Sequence, residues 1–252
     1  KMSFHFWRNS GKPGKQKFVS LQGSYHGETI GALAVTDVAV FRDAYGPLLN
    51  NNLRVPFPGD DAQVLDALAT LLSNRHEEIA ALIVEPLVQG AAGMRMYPAA
   101  YLEEARVLCD RYRVHLIADE IMTGFGRTGS MFACEQAGIR ADFLCLSKGI
   151  TGGYLPLSCV LTTDQVYAAF YDDDTARGFL HSHSYTGSAL ACRAALATLD
   201  IFANDNVIAA NRQKSAQLTG LCAPIRALPQ VRNFRNLGMI WAFEVDNARA
   251  GL

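Results

Sequence analysis

Two charged residues stand where chemistry would need them. The apolar run VHLIA ends in Asp119-Glu120. The apolar run DFLCL ends in Ser147-Lys148, with Gly149 and Gly152-Gly153 close behind. A short apolar run ended by a charge is the pattern of a buried parallel strand, and ligands of parallel sheets sit beyond the strands' carboxyl ends. An acid directly after a buried strand is costly unless paired or solvated. Asp119 is therefore a helix cap, a structural ion-pair partner, or the anion that faces a cationic ring nitrogen. Lys148 is a surface lysine at a strand end, or an amine nucleophile whose pKa is lowered by burial and which forms a Schiff base. The glycines after it free the backbone for close approach of a ligand. Taken together, a carboxylate and an amine at one sheet edge suit pyridoxal 5'-phosphate. The carboxylate would keep the pyridine nitrogen protonated and the lysine would hold the aldehyde carbon.

Other residues surround this pair. Tyr25 lies in the glycine-bracketed turn Gly23–Gly27 and could offer an aromatic face to a flat ring, with stacking worth about 1 kcal/mol. His26 beside it reads as a turn histidine bonded to nearby backbone. Glu85 ends the run IAALIVEP at the same sheet edge, where it either points at the site or holds the Gly90–Gly93 loop. Gly124-Phe125-Gly126-Arg127-Thr128-Gly129 matches G-x-G-x-x-G. In a dinucleotide fold, however, that motif follows its strand at once and opens a helix. Here five residues intervene and a loop follows, so the glycines are expected to shape a loop presenting Arg127. The block His181-Ser182-His183-Ser184-Tyr185-Thr186-Gly187 contains H-x-H, but no further metal ligand shares its spacing. Its hydroxyls, just ahead of a long helix, suit a phosphate, or simply cap the helix.

The elements that must position these residues follow from periodicity. Residues 1–9 continue a helix, KFVSLQ is a strand, and ETIGALAVT has helical spacing. Residues 38–60 are loop-rich, with Asp60 and Asp61 as candidate caps of a helix running to about Asn74. IAALIVEP is a buried strand, Gly90–Gly93 a flexible loop, and Pro98 starts the next helix. RVHLIADE and ADFLCLSK are strands, and LPLSCVLTT runs back along the sheet. Helices are expected over Thr163–Phe170, Ser188–Ala203 and about Ile208–Leu221, and VRNFRNLGMIWAFEV alternates like an antiparallel pair. This βαβ rhythm predicts an α/β fold with a mainly parallel central sheet flanked by helices. A boundary near residue 205 separates residues 1–204 from the start of a smaller α+β unit over 205–252.

Composition excludes several functions. A formal net charge of −1 gives no electrostatic reason to expect nucleic acid or an anionic membrane as partner. No apolar run reaches the roughly 20 residues of a membrane span. The six cysteines are scattered and lack C-x-x-C, as buried free thiols of a reducing compartment are. The chain opens on Lys1 within a helical pattern and stops just after a strand-like run, so a piece of a longer protein is expected.

SYHGET, IVEPLVQGAAGM, LIADEIMTGFGRTG, DFLCLSKGITGG and the HSHSYTG block together resemble the class III pyridoxal-phosphate aminotransferases, of fold type I. The resemblance covers most of residues 23–200. Within that class, GMRMYP, the GFGRTG and FACEQAGI runs, GGYLPLS and HSHSYTG resemble the biotin-synthesis branch. That branch passes the amino group of S-adenosylmethionine to 8-amino-7-oxononanoate.

The resemblance implies a cytoplasmic homodimer with shared sites and pyridoxal 5'-phosphate as cofactor. It places the covalent lysine at Lys148, the pyridine-nitrogen acid at Asp119 and the stacking ring at Tyr25. It puts a phosphate contact from the neighbouring subunit at Ser184, with His183 beside it, and substrate contacts at Ser182 and Arg127. Relatives often have G-N-P-L where this chain has Gly187-Ser188-Ala189-Leu190. The family's phosphate loop and its substrate-carboxylate arginine have no counterpart between Lys1 and Leu252. Other class III enzymes, acting on ω-amines, ornithine or GABA, share Tyr25, Asp119 and Lys148. The alternative outside the class is a nicotinamide-binding α/β protein built on Gly124–Gly129.

Overall fold

A computed structural model of the chain describes residues 1–59 and 63–246. Ten strands occur among them: β1 (Lys17–Leu21), β2 (Leu53–Val55), β3 (Ile79–Val84), β4 (Val88–Gln89), β5 (Arg95–Met96), β6 (His115–Asp119), β7 (Phe143–Leu146), β8 (Cys159–Thr162), β9 (Val231–Leu237) and β10 (Ile240–Val245). The helices are α1 (Met2–Asn9), α2 (Ile30–Leu33), α3 (Ala39–Arg42), α4 (Gln63–Arg75), α5 (Ala99–Tyr112), α6 (Asp164–Ala168), α7 (Ala189–Asn204), α8 (Val207–Leu221) and α9 (Ala223–Arg226). Six strands form one sheet in the order β2-β1-β3-β6-β7-β8. All neighbours are parallel except β7 and β8, where LSCVLTT runs back as expected.

Both faces of the sheet are covered. On one, Leu68, Leu72, Leu102 and Ala105 of α4 and α5 pack against Val19, Leu82 and Leu116. On the other, Phe6 and Trp7 of α1 and Val166 of α6 meet Ala80 and Phe143. The Trp7 indole donates to the Ala80 carbonyl at 2.8 Å, which fixes α1 on the sheet. Burial on both faces is why β3, β6 and β7 are apolar without alternation. Among the described residues, the strands β9 and β10 pair only with each other and form a separate two-stranded sheet.

Three expectations change, and a fourth falls outside the described residues. Leu53–Val55 falls in a stretch read as loop, yet it is the edge strand beside β1. Three residues flanked by Asn and Pro carry too little periodicity to be seen. ETIGALAVT yields only the four residues of α2, because Thr36 turns the chain: its hydroxyl donates to the Ala32 carbonyl and accepts the His26 N–H. Gly90–Gly93 is not a free loop but the turn of the β4–β5 hairpin, with Gly93 and Met94 at positive φ. Asp60 and Asp61, the candidate caps of α4, lie outside the described residues.

A buried histidine makes this fold acid-sensitive. His115 is stacked on Trp7, with ring centroids 4.6 Å apart, and its Nδ1 lies 2.9 Å from the Ser3 hydroxyl. Burial lowers its pKa from 6.5 to about 4. The unfolded chain therefore binds the extra proton between those values, and stability is lost as pH falls through that window, by up to about 3 kcal/mol. Urea unfolding of the whole protein should show a lower midpoint at pH 5 than at pH 7.5. A His115→Phe variant should flatten that difference. An equal fall in the variant would assign the sensitivity elsewhere.

Candidate active site

The parallel pairing of β6 with β7 puts two chain ends side by side. Asp119 is in register with Cys145, so Ser147 and Lys148 emerge at the same carboxyl edge as Asp119. Asp119 is 6% exposed. One carboxylate oxygen stands 2.8 Å from His26 Nδ1 and the other accepts the Ile121 N–H at 3.2 Å. The His26 side chain is 2% exposed, and its Nε2 has no partner among the described residues. The ring is thus bound to a carboxylate 93 positions away, rather than to nearby backbone as the turn alone suggests. No local spacing announces such a contact. The only sequence clue is that the Tyr25-His26 turn and Asp119 both follow sheet strands at the same edge.

Glu85 does both jobs left open for it. One oxygen accepts the Tyr25 N–H and the other the Gly90 N–H, each at 3.0 Å. Burial raises its pKa, opposed by His26 and by these two donors. Tyr25 is half-buried and lies tilted on Phe41, with centroids 4.9 Å apart, and its hydroxyl donates to Glu28. Burial, followed by the Glu28 bond, raises the phenol pKa. Burial first, then Asp119, pushes the Cys145 thiol up to about 12, so it stays protonated beside the acid.

Lys148 departs from expectation in one respect. Its backbone occupies the left-handed region at φ 48°, at the head of the turn Lys148–Thr151, a strained position for a residue with a Cβ. Its side chain is exposed, so these residues do not supply the expected burial. The turn itself is firmly seated. The Ser147 hydroxyl donates to the Leu157 carbonyl and the Thr151 hydroxyl to the Leu155 carbonyl. Ile150 packs with Leu146 and with Ala195 of α7. Gly149 is required by close approach, since a Cβ there would come within 2.8 Å of Phe125 Cβ.

The glycine-rich segment does not open a helix. Phe125, Gly126 and Gly129 all have positive φ, and the segment coils as a loop up to the short 3-10 helix Ala133–Ala137. This removes the nucleotide-type helix N-terminus, as expected. Glu120, singled out only as half of an acid pair, anchors the loop's base. It is fully buried, and it accepts from Thr123 Oγ1 and from the Ala133 and Cys134 N–H groups at 2.8–2.9 Å. Arg127 is exposed on the loop.

The structure does not bring the block 181–187 to Asp119 or Lys148 of the same chain through any hydrogen bond among the described residues. Ser182, His183 and Ser184 are exposed. The His183 N–H donates to Thr186 Oγ1, and the Tyr185 N–H to His183 Nδ1. Ser188, the N-cap of α7, makes no side-chain cap bond, so helix capping does not account for its hydroxyl. Among the described residues no group of three His, Cys, Asp or Glu side chains could hold a metal.

The donor set at the sheet edge fits pyridoxal phosphate. A carboxylate has about four acceptor positions, and Asp119 uses two here, leaving capacity for a pyridinium N–H. An open cavity of about 740 Å³ is walled by Phe18, Ile83, Ile117 and Cys145 of the sheet and by His26, the partner of Asp119.

Comparison with known proteins gives a consistent result. The family profile for "Aminotransferase class-III" matches residues 1–251. The chain is 51% identical over 255 residues to the adenosylmethionine-8-amino-7-oxononanoate aminotransferase of Helicobacter pylori, covering 97% of this chain and 58% of that protein. It is 42% identical to the enzyme of the same name from Anoxybacillus flavithermus, covering 99% of this chain and 58% of the relative. The crystal structure of the Methanocaldococcus jannaschii protein of that name superposes with a TM-score of 0.92 at 36% identity, over 97% of this chain and 57% of that one. An ω-transaminase from Pseudomonas jessenii in complex with PMP superposes with a TM-score of 0.89 at 29% identity, over 97% and 57%. The chain thus spans under two thirds of the length of these relatives.

Proposed function

The chain belongs to the class-III aminotransferase family, and from that membership we propose that it carries the cofactor-binding part of a pyridoxal 5'-phosphate-dependent aminotransferase of biotin synthesis. The proposed reaction transfers the amino group of S-adenosylmethionine to 8-amino-7-oxononanoate and gives 7,8-diaminononanoate. The observation that carries this reading is that Asp119, backed by His26, and Lys148 follow neighbouring parallel strands at one edge of the sheet. The names of the relatives at 42–51% identity supply the substrates.

Each side chain then has a task. Lys148 Nζ would hold the cofactor at its aldehyde carbon. Once displaced by the amino donor, it would take the proton from the donor's α-carbon and return it on the far side of the nitrogen, two atoms further on. When bound, pyridoxal phosphate supplies the electron sink for the pair left by that proton. Asp119 would keep the pyridine nitrogen protonated, with His26 holding the carboxylate in place through 2.8 Å contact. Tyr25 would cover one ring face. His183 and Ser184 of a second subunit would meet the phosphate, and Ser182 and Arg127 the substrates. In this reading the protein works as a homodimer with shared sites.

We also assign residues 1–204 to a large domain and 205–252 to the start of a smaller one. The separate β9–β10 sheet supports that division. No helix among the described residues is long and apolar enough to cross a membrane, and all six cysteines are free, which fits a cytoplasmic enzyme.

The fold alone is shared with ω-transaminases, so the donor decides between substrates. Mixing the full-length, cofactor-loaded enzyme with S-adenosylmethionine should bleach its visible band within one half-reaction. Bleaching by ornithine or GABA but not by S-adenosylmethionine would reject the biotin assignment and leave the aminotransferase one standing.

A further inference from the structure

The loop Gly124–Gly129 is held from two sides, and only one of them belongs to the sheet that carries Asp119 and Lys148. Glu120 pins its base, as described above. Its outer half is gripped by the C-terminal segment. The Met239 N–H donates to the Arg127 carbonyl at 2.8 Å, and Arg212 Nε of α8 donates to the Gly129 carbonyl at 3.1 Å. Gly238, in the β9–β10 turn, lies flat against the same backbone. A Cβ on it would stand 2.5 Å from the Gly129 nitrogen and 2.6 Å from the Arg127 carbonyl oxygen, and its φ of +56° already favours glycine. Ser215 of α8 fixes that turn by donating to the Gly238 carbonyl. Gly126 faces the same segment, where a Cβ would meet Ile208 at 2.9 Å.

We propose that the Gly238-Met239 turn is a positioning and specificity element: from outside the cofactor site, it sets where Arg127 stands and hence how the enzyme receives its substrate. The backbone of Arg127 is fixed at its carbonyl and at Gly129, while its side chain is exposed, so the place of the guanidinium follows the place of the turn. A guanidinium presents its donors in a rigid planar fork, which tolerates little displacement. Glu120 ties the other end of the loop next to Asp119, so the turn can move Arg127 without moving the acid. The inference rests on the reading that Arg127 meets substrate.

The test uses full-length enzyme carrying Gly238→Ala, Arg127→Ala or both. Gly238→Ala should raise KM for the amino donor about tenfold or more, the scale of a small misplacement of a binding group. The turnover number and the cofactor's visible band should stay near wild type. Amide hydrogen exchange over residues 125–130 should accelerate even in enzyme stripped of cofactor. In the Arg127→Ala background, Gly238→Ala should add no further KM change. An equal rise in both backgrounds, or unchanged exchange in the loop, overturns the proposal. Should Gly238→Ala fail to fold, Ser215→Ala frees the turn without adding volume. It should raise KM about threefold, the size of one lost neutral hydrogen bond, and speed exchange in the same loop; no effect on either overturns the proposal. The cycle is run with whichever amino donor turns over, so failure of S-adenosylmethionine rejects the substrate assignment without touching this inference.

Discussion

Replacing Lys148 by Ala in the full-length enzyme is expected to abolish the borohydride-reducible visible band and to lower kcat/KM by about 10⁴-fold or more. Two losses combine in this variant. The covalent anchor disappears, and so does the amine that moves the proton, a contribution worth about 10²–10⁴ alone. The fold should be unaffected. The side chain is exposed, and Ala inherits the left-handed backbone of Lys148 without new contacts, so the stability change should stay within about 0.5 kcal/mol. Added small primary amines should restore part of the proton-transfer rate, because the gap left by the side chain opens to solvent. A reducible band that survives in the variant would move the covalent role to another lysine.

Asp119→Asn should separate cofactor attachment from turnover. Lys148 remains, so the visible band persists, while turnover falls by about 10³-fold, the scale of an electrostatic stabiliser removed from a water-poor site. The amide keeps an oxygen for the Ile121 N–H, but it turns an N–H toward His26 Nδ1 and carries no charge to hold a ring proton. The physical cause can be isolated with a cofactor methylated at the pyridine nitrogen, whose charge is permanent. Such a cofactor should recover turnover in Asp119→Asn more than in wild type. Equal activity of the two proteins with the natural cofactor would remove Asp119 from its role.

How much of this was legible depended on distance along the chain. Asp119 and Lys148 could be found because each ends an apolar run, and a strand's end is a local property. Their nearness could be inferred because successive parallel strands are usually neighbours. The His26–Asp119 contact could not, since nothing in a glycine-bracketed turn encodes a partner 93 positions later. Glu120 was seen only as a neighbour of Asp119. Its partners, the N–H groups of Ala133 and Cys134, become visible once the loop is folded back. The strand Leu53–Val55 was hidden because three residues carry no periodicity. The sequence left Lys148 between a surface lysine and a buried amine, and it is exposed because the buried strand ends two residues before it, at Leu146. The block holding Ser182, His183 and Ser184 is assigned to a second subunit, and one chain's sequence cannot show a contact made by another.

The contact of Phe125 with Gly149 bears on how such an enzyme could be re-engineered. The Gly124–Gly129 loop and the turn bearing Lys148 touch through an aromatic ring pressed on a residue without a side chain. Libraries that diversify the loop for new amine products would therefore disturb the lysine's seat whenever Phe125 is enlarged or re-angled. On the roles proposed above, holding Phe125 and Gly149 constant while varying Arg127 and its supports would keep chemistry and selectivity as separately adjustable parts.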